Sequence, residues 1–139
     1  MKIENEFVDY NTALALKQLG FDEPCILLYR GLDTQPVCQM SYDFKTEKNS
    51  DYNGAINYWL TVPTFSQCFS WFREKYNIDS EFYMNHEYGI KFYTYLLLEL
   101  KGSVITHLSG FSGRFETHEE AQLECLKKLI EIVNEKKKN

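Results

Sequence analysis

The spacing of apolar residues changes period along this chain, and each change predicts an element. Between 65 and 76, Phe65, Phe69, Phe72 and Tyr76 fall at i, i+4, i+7 and i+11, which stacks them on one helical stripe. Ser66, Ser70, Arg73 and Glu74 take the opposite side, and Trp71 lies off the stripe beside Lys75. From 90 to 100 the period drops to two, the signature of a strand. Ile90, Phe92, Thr94, Leu96, Leu98 and Leu100 read as its core face. Lys91, Tyr93, Tyr95, Leu97 and Glu99 form a second, amphipathic face suited to a partly covered or partner-contacting surface. From 117 to about 135 the step of four returns with Ala121, Cys125, Leu129 and Val133, widened by Leu126, Ile130 and Ile132. So broad an arc suits a helix laid across a sheet rather than a narrow coiled-coil seam.

Polar punctuation sets the ends of these elements. Thr64-Phe-Ser-Gln67 and Thr117-His-Glu-Glu120 each place a hydroxyl three residues before a Gln or Glu, ahead of an apolar-periodic run. Both are capping boxes and predict helix starts. An earlier helix is predicted over about 10–19, capped by Asp9 or Asn11, with Thr12, Ala15, Leu16 and Leu19 on one face. Gly20 stands at its stop, and Phe21 follows where a Schellman motif packs it against Leu16. Strands are predicted at 25–29, 37–44 and 55–62, the second returning antiparallel on the first. A long polar loop spans 45–54. A short strand at 81–84 and a returning strand at 104–108 complete the set. The turn Lys101-Gly-Ser103 precedes the latter, and the flexible corner Gly110-Phe-Ser-Gly113 follows it.

The order is that of an α+β fold: an antiparallel sheet with about three helices, the C-terminal helix packed across it. At 139 residues one domain is expected over 1–139, with 135–139 a frayed tail. Hydrophobic content of 44% and charged content of 25% are ordinary, but aromatics reach 16%, with ten Tyr and ten Phe. Aromatic rings serve cores and half-wet interfaces alike. A net charge of −5 works against binding to phosphate backbones, and the one basic run, Lys136-Lys-Lys138, complements a helix C-terminus. No apolar run nears the roughly 20 residues of a membrane span, and Met1-Lys-Ile-Glu-Asn-Glu6 lacks a signal-like apolar region. Cys25, Cys38, Cys68 and Cys125 include no CxxC and read as reduced, mostly buried thiols, so the cytoplasm is the expected compartment.

The chain carries no motif for chemistry. His86, His107 and His118 have no His or Cys at i+3 or i+4, so no local metal-ligand pair exists; only a dispersed set such as His86 and His107 with a cysteine would serve. Cys68, in the second turn of its helix, falls beside Phe65 and Phe72, where burial opposes thiolate formation. Ser109-Gly-Phe-Ser-Gly113 fails the spacing of a GxSxG nucleophile elbow, and no phosphate-binding glycine loop occurs. Neither enzyme, cofactor nor metal is expected.

Three resemblances bear on function. Pro63-Thr-Phe-Ser-Gln-Cys-Phe-Ser-Trp-Phe-Arg-Glu-Lys75, Thr117-His-Glu-Glu-Ala121 and Leu19-Gly-Phe-Asp-Glu-Pro-Cys25 resemble segments of small phage and prophage proteins of unknown function. That resemblance covers most of the chain and implies a mobile-element origin, but no activity. The helix–strands–helix order of the second half looks like a double-stranded RNA-binding domain, although His118-Glu-Glu120 stands where that family places lysines on phosphate. About thirty residues from Ile105 are similar to HicB-type antitoxins, whose strands lead into a Thr-x-Glu-Glu-Ala helix. The expectation is a non-enzymatic accessory protein acting by protein–protein contact or self-association. Its expected surface is the Tyr93/Tyr95 strand face with Trp71, and a nucleic-acid-binding module is the alternative.

Overall fold

Asp9 opens the first helix, α1 (Tyr10–Gln18): its side chain accepts from the Thr12 N–H at 2.8 Å. The helix closes on Gly20, at φ 99°, with the Gly20 N–H bonding to the Lys17 carbonyl and the Phe21 N–H to the Leu16 carbonyl, both at 2.9 Å. This is the Schellman pattern, and it buries both Leu16 and Phe21. The computed structural model describes residues 3–31, 37–40 and 58–138. Its contacts group into two compact units, Met1–Thr64 and Phe65–Asn139, where composition suggested one domain.

In the first unit, a 3-10 turn (Ile3–Glu6) and α1 precede three antiparallel strands, β1 (Leu27–Gly31), β2 (Val37–Met40) and β3 (Tyr58–Val62), in the order β2-β1-β3. Register runs from Leu27 opposite Met40 on one side and Val62 on the other. Val8, Leu19, Leu28, Leu60 and Val62 are buried, and the Tyr10 ring meets Tyr29 edge-on at 5.1 Å. Thr12, Leu16 and Leu19 are buried as the pattern predicts, whereas Ala15 is only half-buried and Ala13 is buried in its place. The loop at 45–54, the strand residues expected at 41–44 and 55–57, and the side chain of Cys38 lie outside the description.

The second unit runs α2 (Phe65–Tyr76), β4 (Ile78–Glu87), β5 (Ile90–Lys101), β6 (Val104–Phe115) and α3 (His118–Lys137). Its sheet is an antiparallel meander in the order β4-β5-β6. Asn77, at φ 57°, ends α2 in the left-handed region that Asn tolerates, and Tyr88 and Gly89, both at positive φ, make the two-residue turn into β5. At Thr117 the cap forms as the sequence predicts, with the Glu120 N–H bonding to its Oγ1 at 3.1 Å. The Glu120 carboxylate, however, accepts from the Glu116 N–H, one residue before the reciprocal partner of a standard box.

Both helices of this unit lie on one side of the sheet. The Phe69 ring of α2 meets Phe82 of β4 at 5.3 Å, and His118 at the start of α3 meets both Phe82 and Tyr93. The apolar arc of α3, from Ala121 through Cys125 and Leu129 to Val133, is buried as its spacing predicts. Twelve residues of isolated helix are marginal in water, so α2 is held by the burial of Phe65, Phe69 and Phe72. Each such ring contributes roughly 1.5–3 kcal/mol.

The elements differ from the expected ones at four places. The strand at 81–84 extends from Ile78 to Glu87, because pairing with β5 continues through its exposed polar residues rather than stopping at them. The corner at Gly110–Gly113 is part of β6, which absorbs its extra residues as register shifts against β5. The frayed tail from 135 is helical to Lys137, because Lys136 is tied down (below). The faces of β5 are not divided as expected: Tyr95, Leu97 and Glu99 are buried on the helix side, while on the other face Thr94 and Leu96 are buried but Ile90 and Leu100 are exposed.

Candidate functional site

The side of the β4-β5-β6 sheet away from its helices carries exposed apolar side chains, and Met84 and Val104 are exposed on the helix side. Cross-strand register sets its members: Tyr83 opposite Thr94, Asn85 opposite Phe92, and Ile105 opposite Leu100. Phe111 joins them by placing its ring 5.2 Å from that of Tyr83, near-perpendicular. Phe111 is 67% exposed, Ile105 64% and Ile90 63%. They fall in separate groups, Tyr83 with Phe111 and Leu100 with Ile105, with Ile90 at the far hairpin end and Thr94 and Leu96 buried between them.

Polar groups lie beside the Tyr83 and Phe111 rings. The Arg114 guanidinium pairs with Glu87 and lies 4.3 Å from the centre of the Phe92 ring, so one cation serves a carboxylate and a π-face together. The Asn85 amide donates to the Thr94 hydroxyl at 3.3 Å. With Phe111 and Gly113 these residues line a groove of about 310 Å³. Gly113 holds φ 75°, and a Cβ there would run into the Phe115 ring, so the bulge that aims Phe111 and Arg114 outward requires glycine. The Tyr83 hydroxyl donates to Glu81, and that bond, with lesser help from burial and the carboxylate's charge, raises its pKa.

The residues that the sequence singles out as a contact surface are largely inside. Tyr95 is 7% exposed and stacks on Phe115, with ring centres 6.1 Å apart. Trp71 is 6% exposed; its ring meets Phe72 and Tyr76 edge-on, and Lys75 lies 4.9 Å above it. Tyr93 is half-buried between His118 and Lys91. Of the residues expected at an interface, Trp71 and Tyr95 are thus buried in this chain, and Tyr93 and Tyr95 line the helix side of the sheet. The sequence carries no clear signal for Phe111, because its flanking glycines read as a corner and the bulges after His107 break the Ile105, His107 alternation before it reaches Phe111.

The reactive side chains do not assemble. His86 lies on the helix side of β4, whereas His107, opposite Leu98, lies on the other side of the sheet. Cys25, Cys68 and Cys125 are buried and not in disulfides. Burial pushes the Cys25 thiol up to about 11, against a hydrogen bond with Thr61 that lowers it. Burial likewise pushes Cys125 to about 12, partly offset by Ser80. Among the described residues no three His, Cys, Asp or Glu side chains are grouped to hold a metal ion, and no helix is long and apolar enough to cross a membrane. Compared with protein-family models, curated proteins and solved structures, the chain matches none.

Proposed function

We propose that this protein is a non-enzymatic accessory protein that works by holding another polypeptide on the helix-free side of its β4-β5-β6 sheet. The observation that carries the reading is the exposed ring pair of Tyr83 and Phe111, beside the groove lined by Asn85, Phe92 and Arg114. Its partner is an apolar segment flanked by basic residues, since the chain carries a net charge of −5 and Asp79, Glu81 and Glu87 lie on the same face of β4 as Tyr83. The resemblance to phage and prophage proteins favours a mobile-element setting.

Affinity capture compares wild type with Y83S/F111S and with Met84→Ser, a change of an exposed residue on the helix side of the sheet. A basic partner retained by wild type and M84S but lost by Y83S/F111S supports the reading. Equal retention by all three overturns it.

A second reading has its own observation. The α2-β4-β5-β6-α3 order, with both helices on one sheet face, is the order of a double-stranded RNA-binding domain. Against it stand Glu119 and Glu120 in the first turn of α3, which repel phosphate. Duplex RNA that shifts in a gel at low salt and is released at high salt would favour this reading; no shift at low salt removes it.

A further inference from the structure

Asp79, Glu81 and Glu87 occupy the helix-free side of β4, opposite Leu98, Leu96 and Ile90 of β5. Asp79 is paired with Arg73 at 2.7 Å, and Glu87 with Arg114. Glu81 has no cation beside it among the described residues; its carboxylate accepts the Tyr83 hydroxyl through Oε2. Arg114 illustrates how this face holds a guanidinium. Its charge goes to Glu87, and its central carbon lies 4.3 Å from the centre of the Phe92 ring. The same kinds of group stand together at Glu81. Tyr83, hydrogen-bonded to that carboxylate, meets the Phe111 ring at 72°, so two rings make an open corner with a carboxylate on its rim. Tyr83 is 38% exposed and Phe111 67%.

We propose that the corner formed by Glu81, Tyr83 and Phe111 seats an arginine side chain of the partner polypeptide, its guanidinium ion-paired with Glu81 and packed on the two rings. The seat rests on the sheet-face reading above and gives that partner its anchoring residue. Charge selects a cation. A carboxylate or phosphate would face Glu81 and a chain of net charge −5. An apolar side chain would cover the rings but strip water from Glu81 without supplying a counter-charge. Shape selects arginine over lysine. A guanidinium is flat and weakly hydrated, so it lies on an aromatic face while its edge donates to a carboxylate. The Tyr83 hydroxyl occupies Oε2 of Glu81, which leaves Oε1 for the incoming N–H.

The test titrates the full chain with the peptide arginine-leucine-leucine-arginine and with its lysine and citrulline counterparts, following backbone amide signals by NMR. Citrulline keeps the shape of arginine without its charge. The arginine peptide should shift the signals of Glu81, Tyr83 and Phe111 and bind roughly three- to tenfold more tightly than the citrulline peptide. It should also bind more tightly than the lysine peptide. Glu81→Gln keeps an acceptor for the Tyr83 hydroxyl, and Phe111→Leu keeps bulk without a ring; each should weaken arginine binding, whereas Met84→Ser should not. Equal binding of the arginine peptide and either counterpart, or arginine binding that survives E81Q and F111L, would overturn the proposal. The titration needs no partner protein, so the two ideas fail separately. A captured partner lost by Y83S/F111S but kept by E81Q would sink the arginine seat and leave the sheet-face reading standing. Equal capture by wild type and Y83S/F111S would sink that reading, while the peptide preference still reports on the seat.

Discussion

Glu99, on the helix side of β5, is ion-paired to Lys136 in the last turn of α3. Glu99 is only 5% exposed, and a second cation, Lys101, stands 3.6 Å from its other oxygen. Burial pushes this carboxyl's pKa up, but the hydrogen bond and charge of Lys136, aided by Lys101, outweigh it and leave the group below its ordinary value. The pair fastens the C-terminal turn of the longest helix to the central strand of the sheet. It also explains why β5 turns Glu99 inward: the last turn of α3 supplies the charge that a buried carboxylate requires.

Breaking the pair from the lysine side strands the carboxylate. Lys136→Met should cost about 1–3 kcal/mol in urea unfolding, less than the roughly 3–5 kcal/mol of a fully buried pair, because Lys136 is partly in water. The pH dependence follows from the sign of the shift. With the native pKa below 4.5, the unfolded chain takes up the proton first as pH falls. The contribution of Glu99 is therefore complete above about pH 4.5 and is lost as pH drops through the native value. Thermal melts between pH 6 and 3 should fall less steeply for Glu99→Gln than for wild type.

Gly113→Ala should be more harmful than its size suggests. The residue holds positive φ, and an added Cβ meets the Phe115 ring that stacks on Tyr95. Stability should drop by about 1–3 kcal/mol, whereas Gly110→Ala, with no atom near its Cβ, should cost little. Equal losses at the two sites would show that the bulge does not constrain β6 at Gly113.

The thiols offer a folding reporter. With Cys25 near 11 and Cys125 near 12, neither forms thiolate at pH 8, and both are closed to solvent. A disulfide reagent should leave both unmodified in buffer and react with them once denaturant unfolds the chain. Fast modification of either in buffer would contradict the burial described.

Caps that the sequence announces should behave as caps. Asp9→Ala and Thr117→Ala each remove an acceptor for a first-turn N–H, at 2.8 and 3.1 Å, and should each cost roughly 1 kcal/mol in denaturant unfolding.

How far the fold can be read ahead of the coordinates depends on which forces are local. Thr117, Gly20 and the Phe65–Tyr76 stripe act over one or two turns, and their helices stand where the pattern places them. Alternation locates β5 but not how burial divides along it, because burial there follows position along the strand as much as parity. Thr94, Tyr95, Leu96 and Leu97 are consecutive and all buried, while Ile90 and Leu100 at the ends are exposed. The face toward the helices is set by partners remote in sequence: Phe115 for Tyr95, Lys136 for Glu99 and His118 for Tyr93. No window along the strand contains them. The proposed contact surface moves accordingly, from Tyr95 and Trp71 to Tyr83 and Phe111.

Hydroxyl-radical footprinting of the free protein tests this placement of the surface most directly. Oxidation should be rapid at Tyr83, Phe111 and Ile105 and slow at Tyr95 and Trp71, in line with their accessibility. If Tyr95 and Trp71 are oxidised first while Phe111 is spared, the sheet presents its other side to solvent, and the proposed contact surface is wrong.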